Sequence, residues 1–205
     1  MAKGPVAGII LAAGMSKRFG KTKQLHKLGG STILSRVIDA SIRSDLDAVF
    51  LVLGHESEAV RTSLGDRLMD PRLSIIENPD YAMGMSTSLQ AGLRAAMERF
   101  LSIMVLMGDQ PLLNPGAINH ILRAFKSSDR DICAPVYKGK MMPPICIGSR
   151  FYEEILKIRG DMGAREVLKN NPEAVLPVDM EGDGGFIDID SREDLELINS
   201  YMGLK

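Results

Sequence analysis

The sequence predicts an α/β fold, a Rossmann-like three-layer sandwich whose mostly parallel sheet is covered by helices on both faces. Short apolar runs alternate along the chain with stretches of helical periodicity, which is typical of βαβ units. The run at 103–107 is continuously apolar, as a strand buried on both faces requires. A chain of 205 residues can bury one sizeable core, so we expect residues 1–205 to form a single domain.

The elements follow in order along this pattern. Ser31 and Thr32 can cap a helix whose apolar residues between 33 and 42 share one face. Asn114 before Pro115 is the expected start of another helix. We expect the stretch 138–148 to break the alternation and to cover or extend a site. The predicted strands are 6–11, 48–53, 73–76, 103–107 and 132–136, and the other predicted helices are 56–64, 86–99, 115–126 and 192–201.

Composition excludes several classes of function. A formal net charge of −1 argues against a general nucleic-acid binder, which needs a basic surface. The chain has no apolar run near the length of about 18 residues that a membrane span needs, and its start lacks the pattern of a signal peptide. Cys133 and Cys146 are too few for a disulfide framework, so we expect buried thiols and a cytoplasmic location.

A cationic loop follows the first predicted strand. Small residues from 11 to 14 let backbone N–H groups approach a ligand closely. The cations that follow suit a polyphosphate, although a tight turn with solvated lysines is the alternative. Five residues separate Gly14 from Gly20, one too many for a Walker A loop, and the dinucleotide-binding glycine pattern is absent. The four cations are Lys17, Arg18, Lys21 and Lys23.

Acidic residues follow two later apolar stretches. Asp109 comes directly after the 103–107 run, where a carboxylate is costly unless it is paired or binds a cation such as Mg²⁺. Capping of a helix is the alternative for Asp109. Asp188 and Asp190 alternate with apolar residues, so we expect both on one face of a strand, with one as a second metal ligand. A helix N-cap at Asp190 or Ser191 is the alternative there.

A third stretch, 77–89, ends a predicted strand and opens a helix near Ser86. Hydroxyl and N–H groups at a helix start can read a base or a sugar, and simple capping is the alternative.

Several stretches then match a known family. The segment LAAGMSKRFGKTKQL resembles the signature L-A-A-G-x-S-x-R-x-G-x-x-K-x-L of the molybdenum cofactor nucleotidyltransferases. The stretches GMSTSLQAGL, GDQPLL, GDMGAREVL and IDIDSREDLE resemble later segments of the same family, in the same order. This family is similar in fold to the sugar-nucleotide pyrophosphorylases, so the resemblance implies the nucleotide-diphospho-sugar transferase fold.

The resemblance implies a role for each matching residue. Arg18, Lys23 and Asp109 would be catalytic, with the two cations on the triphosphate. Asp109 would bind Mg²⁺ with Asp190 as its second carboxylate. The implied nucleotide-binding residues are Leu11, Ala12, Ala13, Gly14, Arg18, Lys23, Asn78, Ser86 and Ser88.

The acceptor is implied less directly. Asp161 and Arg165 resemble the family segment near the acceptor, although a helix N-cap at Asp161 fits composition equally well. The acceptor implied is a phosphorylated small molecule such as molybdopterin, and a molybdoenzyme or its chaperone is a further partner that the resemblance allows. The cytidylyl branch usually shows Gly-His-Pro where this chain has residues 140–144, so the missing histidine puts the acceptor in doubt.

Ala13 favours CTP, because the cytidylyl branch of the family shows LAAG where the guanylyl branch usually shows LAGG. The expected reaction is attack by a substrate phosphate on the α-phosphorus, which needs no general base because a phosphate monoester is largely ionised at neutral pH. His55, just past the second strand, is the one histidine expected near the site. The alternatives are a guanylyltransferase, a sugar- or alcohol-phosphate nucleotidyltransferase, a P-loop ATPase and a non-catalytic nucleotide-binding module.

Overall fold

A twisted central sheet of apolar strands organises the molecule in the computed structural model, which describes residues 3–16, 19–20, 22–180 and 184–203. The strands in these ranges are β1 (Val6–Leu11), β2 (Lys27–Leu28), β3 (Ser31–Thr32), β4 (Ala48–Leu53), β5 (Leu73–Glu77), β6 (Ser102–Met107), β7 (Ile132–Tyr137), β8 (Lys140–Met141), β9 (Ile145–Gly148) and β10 (Val175–Asp179). The α-helices are α1 (Ile33–Ile42), α2 (Ser57–Leu64), α3 (Met85–Ala96), α4 (Pro115–Ser127), α5 (Tyr152–Lys157), α6 (Ala164–Asn170) and α7 (Arg192–Tyr201).

The main sheet has the order β10-β7-β9-β6-β1-β4-β5 within the described part of the chain, with β8 paired to β7. Strands β6, β1, β4 and β5 run parallel to one another, as β10 does to β7. Strand β9 is antiparallel to both β6 and β7. The predicted α/β fold with a mostly parallel sheet is therefore confirmed.

Each central strand is apolar throughout because both of its faces are covered. In β1, Ile9 points into a cluster with helices α3, α5 and α6, while Ile10 points into a second cluster with α1, α2 and α4. Both isoleucines are fully buried. Alternate side chains of one strand therefore fill two different cores, which is the three-layer arrangement that the sequence predicts.

Helix starts agree well with the capping signals. The Thr32 hydroxyl accepts a hydrogen bond from Ser35 N and caps α1, and Asn114 Oδ1 accepts one from Ala117 N and caps α4. Ser191 caps α7 in a reciprocal capping box with Asp194. Because α4 is capped by Asn114, Asp109 does not cap that helix.

The C-terminal segment returns to the start of the chain. Helix α7 packs through Ile198 against Leu28 and Ile33, and Ile189 completes this small buried cluster. Residues 187–190 form no strand, so the prediction that Asp188 and Asp190 share one face of a strand is wrong. The segment is held by side-chain contacts and by the hydrogen bond from Ile189 N to Asp109 O (3.0 Å). Each residue is therefore placed by its own contacts and not by the regular alternation of a strand.

No helix in the described ranges is long and apolar enough to cross a membrane.

Candidate functional site

The carboxyl ends of β1 and β6 lie side by side, and this brings the cationic loop next to Asp109. Leu11 is the register partner of Met107, so the loops that follow both strands leave the sheet at one edge. Gly108 makes this close approach possible. A Cβ on Gly108 would lie 2.9 Å from Ala12 Cβ and 3.0 Å from Leu11 O, so a side chain there would push the loops apart.

Carbonyl groups of the loop after β1 are bound within the protein. Gln24 Nε2 donates to Ala12 O (3.2 Å) and Gly14 O (3.3 Å), and His55 N donates to Ala13 O (3.1 Å). The N–H groups of Ala13 and Gly14 donate no hydrogen bond to any of the described residues. They are therefore free for a ligand, as a phosphate- or sugar-binding loop requires.

Gln24 is a residue of this site that sequence reasoning missed. Its side chain is buried, although within a basic loop a glutamine looks like any solvated polar residue. Its position directly after Lys23 in the matched motif was the available signal.

Lys23 lies at the centre of a charged cluster. Its Nζ lies 2.6 Å from Asp109 Oδ2, 3.1 Å from Asp190 Oδ1 and 2.9 Å from Ile189 O. Burial acts to lower the pKa of the ammonium, but the charges and hydrogen bonds of Asp109 and then Asp190 outweigh it and hold the pKa above its usual value. The structure therefore brings together a lysine and two acids that lie up to 167 positions apart in sequence.

The other oxygen of Asp109 is poised for a cation. Asp109 Oδ1 is buried and has no hydrogen-bond partner within the described ranges. An unsatisfied buried carboxylate oxygen is costly, so the chemistry of this position fits a divalent metal ion. Asp109, Asp190 and the Ile189 carbonyl are the groups that could hold it.

Asp188 takes a different position from Asp190. Its Oδ1 accepts a hydrogen bond from Gln110 Nε2 (2.8 Å). Burial and then the charge of Asp109 raise the pKa of Asp188 to about 6, against the hydrogen bond from Gln110, which acts to lower it. Gln110 is fully buried, and sequence reasoning gave it no role.

Two cavities among the described residues meet at Asp109. The first, of about 460 Å³, runs along the loop after β1 and the start of α3. The second, of about 340 Å³, lies between β6, residues 143–145 and the start of α6. Both are lined by Leu11, Met85, Met107, Asp109 and Asp161. Two ligands could therefore lie on either side of Asp109, which is what a transfer between two substrates needs.

The sequence-predicted nucleoside residues separate in the structure. Ser88 lines the first cavity together with Leu11, Ala13 and Gly14. The side-chain amide of Asn78 instead donates hydrogen bonds within the protein, to Thr87 Oγ1 (2.9 Å) and Ser88 Oγ (3.0 Å).

The backbone N–H of Ser86 donates to Gly160 O (3.1 Å), and its side chain is buried. These contacts join the end of β5 and residues 160–161 to helix α3. The helix itself begins at Met85 with Gly84 as its N-cap, so Ser86 does not cap it.

The second cavity contains the predicted acceptor residues. Asp161 lines both cavities and accepts a long hydrogen bond from Met85 N (3.4 Å), while α6 begins later, after its N-cap Gly163. Asp161 is therefore not the N-cap of α6. Arg165 lines the second cavity, and its Nη2 lies 3.5 Å from Met142 Sδ.

The stretch 138–148 reaches this second cavity, as expected. Pro143, which precedes a cis peptide bond to Pro144, and Ile145 line it. Where the cytidylyl branch usually has Gly-His-Pro, this chain has Met142, Pro143 and Pro144, and Pro143 lines the cavity.

Some predictions fall outside these cavities or outside the described ranges. Arg18, with its neighbours Lys17 and Lys21, lies outside the described residues. His55 lines a separate groove beside Glu56, as does His26, and neither histidine lines the two cavities that meet at Asp109. His120 lies on the outer face of α4.

Comparisons with known proteins show which family and fold this chain shares. Residues 8–175 match the family described as the MobA-like NTP transferase domain. The purine catabolism protein PucB of Bacillus subtilis is 28% identical over 201 residues, which cover 95% of this chain and 96% of that protein. A probable molybdenum cofactor guanylyltransferase of Thermococcus sibiricus is 23% identical over 203 residues, covering 95% of this chain and 98% of that protein.

Solved structures share the fold over nearly the whole chain. The homologue of Rv0371c from Mycobacterium sp. strain JC1 has a TM-score of 0.83 at 22% identity, covering 97% of this chain and 96% of that one. Rv0371c of Mycobacterium tuberculosis, in a complex with manganese, has a TM-score of 0.73 at 23% identity, covering 95% and 97%. The family match spans most of the sheet and every lining residue of both cavities except Asp188 and Asp190. The chain therefore belongs to the MobA-like NTP transferase family and is a nucleotidyltransferase.

Proposed function

We propose that the enzyme transfers a nucleoside monophosphate from CTP to the phosphate of a molybdopterin-type acceptor, with Mg²⁺ as cofactor, and releases pyrophosphate. The observation that carries this proposal is the position of Asp109. Its carboxylate lines both cavities, touches Lys23 and has one buried oxygen without a partner among the described residues. A metal-binding acid between two substrate-sized cavities is what in-line transfer between two phosphates needs.

The nucleotide would occupy the first cavity. The N–H groups of Ala13 and Gly14 and the Ser88 hydroxyl can contact its base and sugar, with Leu11 on the same wall. Lys23 reaches the end of this cavity that Asp109 closes, where it would neutralise charge on the triphosphate. Arg18 is proposed as a second triphosphate ligand on its matching position in the motif alone.

The acceptor would occupy the second cavity with its phosphate toward Asp109. Arg165 supplies a cation there and Asp161 an acceptor for N–H groups, while methionine and proline side chains offer an apolar wall for a flat ring. An acceptor phosphate with a second pKa of about 6 attacks as the dianion, so the chain needs no general base.

Mg²⁺ would be held by Asp109 and Asp190. When bound, it supplies charge neutralisation for the α-phosphate and the attacking phosphate. Asp188 is a less suitable ligand than Asp190, because burial and the charge of Asp109 favour its protonated form. The identity of the acceptor rests on the family resemblance and on the printed names of relatives, and delivery to a molybdoenzyme or its chaperone is a further part of the proposal.

CTP is favoured by Ala13. The Ala13 side chain is almost fully buried and lines the first cavity. Its methyl group narrows the space beside the loop, which suits a pyrimidine better than a purine. GTP is the second candidate, because the Thermococcus sibiricus relative carries the name of a guanylyltransferase.

Pyrophosphate release with each of the four nucleoside triphosphates, with and without molybdenum cofactor, tests the proposal. We expect release that depends on the cofactor and on Mg²⁺, with kcat/KM for CTP at least about tenfold above that for GTP, equivalent to about 1.4 kcal/mol. Activity with GTP alone would establish the second candidate. Turnover with sugar phosphates in place of the cofactor would contradict the proposed identity of the acceptor. If no acceptor supports pyrophosphate release, the protein is a non-catalytic nucleotide-binding module.

The variant Ala13→Gly is the matched test of the base. Removing the methyl group should raise kcat/KM for GTP relative to CTP, because the purine gains room. Ala82→Gly, in the same cavity but on the opposite loop, is the control and should leave the ratio unchanged. An unchanged ratio in Ala13→Gly would show that this side chain does not select the base.

A further inference from the structure

The ammonium of Lys23 occupies a cage of three oxygens at the site proposed for the metal ion. One oxygen comes from Asp109 (2.6 Å), one from Asp190 (3.1 Å) and one from the Ile189 carbonyl (2.9 Å). The side chains of both Lys23 and Asp109 are only 13% exposed, so water screens this ion pair weakly. The cage already holds a cation that the protein itself supplies.

This internal cation satisfies the cage only in part. Asp109 Oδ1 is buried and has no hydrogen-bond partner within the described ranges, although Oδ2 of the same carboxylate contacts Lys23. An ammonium that contacts one oxygen of the carboxylate leaves the charge on the other oxygen unbalanced, whereas a divalent ion could bind both oxygens. Lys23 therefore contacts Asp109 closely, and a divalent ion could still take its place.

The protein offers few ligands of its own to a metal ion. No group of three or more histidine, cysteine, aspartate or glutamate side chains in the described ranges is arranged to hold one. Mg²⁺ usually takes one or two carboxylates and completes its shell with phosphates and water. The missing ligands at this cage would have to come from a bound triphosphate.

Lys23 and a divalent ion exclude one another from the cage. Two cations that shared these oxygens would lie close together and would repel strongly at this weakly screened position. Lys23 also lines the nucleotide cavity and sits on a flexible four-carbon stem, so its ammonium can turn from the acids toward a phosphate in that cavity. The anion that would attract Lys23 is the same group that would supply the missing metal ligands.

We propose that Lys23 is the resident cation of the Asp109–Asp190 cage, and that a bound triphosphate draws it out and so opens the cage to the metal. Binding of the divalent ion and of the nucleotide is then strongly coupled, with each tightening the other. The inference rests on the proposed function for the identity of the nucleotide, but the exchange of cations is measurable without any turnover.

The test is Mn²⁺ binding to the full chain, followed by the electron paramagnetic resonance signal of the free ion. Wild-type protein should bind Mn²⁺ weakly alone and at least about tenfold more tightly with a non-reacting α,β-methylene analogue of CTP. Lys23→Met should bind Mn²⁺ without nucleotide at least about tenfold more tightly than the wild type, because the competing ammonium is removed from the cage. Equal affinity of Lys23→Met and the wild type for Mn²⁺ alone would overturn the proposal.

Two control variants separate the exchange from general electrostatics. Lys23→Arg keeps a cation in the cage and should bind Mn²⁺ as weakly as the wild type. Lys27→Met removes a nearby exposed charge that lies outside the cage, and it should also leave the affinity unchanged. A gain in Lys27→Met as large as in Lys23→Met would attribute the effect to net charge and would contradict the proposal.

Thermal unfolding keeps the test decisive if Lys23→Met is unstable. Without its cation the cage should lower the melting temperature, and Mg²⁺ alone should restore it more in Lys23→Met than in the wild type. Equal response of the two melting temperatures to Mg²⁺ would count against the exchange. If the protein binds Mn²⁺ as expected but releases no pyrophosphate, the exchange of cations is upheld and only the proposed reaction is rejected.

Discussion

Gly84 lies directly against the backbone of Gly160, so that a Cβ on Gly84 would lie 2.3 Å from the Gly160 carbonyl carbon. Gly84 precedes α3 and lines the first cavity, and Gly160 precedes Asp161, which lines both cavities. Both glycines have positive φ angles, of 115° and 69°. Contact between two backbones therefore joins the wall of the first cavity to that of the second without any intervening side chain.

Gly84→Ala should damage both substrate sites at once. The new methyl group would displace residues 160–161 and would strain a backbone that L-residues rarely adopt, so we expect a loss of roughly 1–3 kcal/mol in the free energy of unfolding. Urea unfolding and kcat/KM for each substrate measure the effect. The control is Gly65→Ala, also at positive φ but in open space, which should cost stability without changing kinetics. Normal kinetics in Gly84→Ala would disprove the coupling.

Asp109→Asn should stop turnover while leaving the fold in place. The substitution removes the charge that contacts Lys23 and the proposed metal ion, and losing one such contact typically costs about 10²–10³ in kcat. Rates of pyrophosphate release in Mg²⁺ and the melting temperature are the measurements. Asp39→Asn, which breaks the ion pair with Arg67 far from the cavities, is the control and should keep kcat. Wild-type turnover in Asp109→Asn would refute the assignment.

Asp188→Asn should stabilise the protein above neutral pH. The pKa of Asp188 is raised to about 6 in the folded chain, so the folded state holds this proton after the unfolded state has lost it. Stability from this group therefore falls as the pH rises from about 4 to about 6, by at most about 3 kcal/mol. Asparagine can still accept the hydrogen bond from Gln110. Urea unfolding at several pH values should show that the free energy of unfolding of the variant rises relative to that of the wild type across that window. Above the window the difference should stay constant.

Cys133 and Cys146 should resist thiol reagents in the folded protein. They face one another across β7 and β9 and are both fully buried. Burial raises the pKa of Cys133 to about 12 and that of Cys146 well above its usual value, so neither forms a reactive thiolate near neutral pH. Reaction with a chromogenic disulfide should be slow in buffer at pH 8 and complete in denaturant. Rapid labelling of the native protein would show that this part of the sheet opens readily.

Strands with long apolar runs were predictable because burial on both faces leaves a strong local signal. The bounds predicted for β1 and β4 agree with the structure, and the predicted helix 192–201 is α7. Strand β9 carries no such signal, since it is four residues long and follows two prolines. Strand β10 contains Pro177, which a strand tolerates at the sheet edge and which disguises it in sequence.

The site was predictable where a residue follows a strand and unpredictable where a contact is made through space. Asp109 and the loop after β1 follow from the rule that ligands bind at the carboxyl ends of parallel strands. The roles of Gln24 and Gln110 depend on which carbonyl or carboxylate group lies opposite them, and no sequence pattern carries that information. The different environments of Asp188 and Asp190 have the same origin, because each contacts its own partner.

The bond from Lys23 to the Ile189 carbonyl joins residues 166 positions apart, and this separation has a consequence for biosynthesis. A growing chain can pair β1 with β4 and β6 long before residues 184–203 leave the ribosome. The cluster that docks α7 is separate from the two main cores, so those cores can form without it. The cage around Lys23 can therefore be completed only after the sheet has begun to form, and we expect proteolytic removal of α7 to lower turnover in the proposed reaction while leaving the sheet folded.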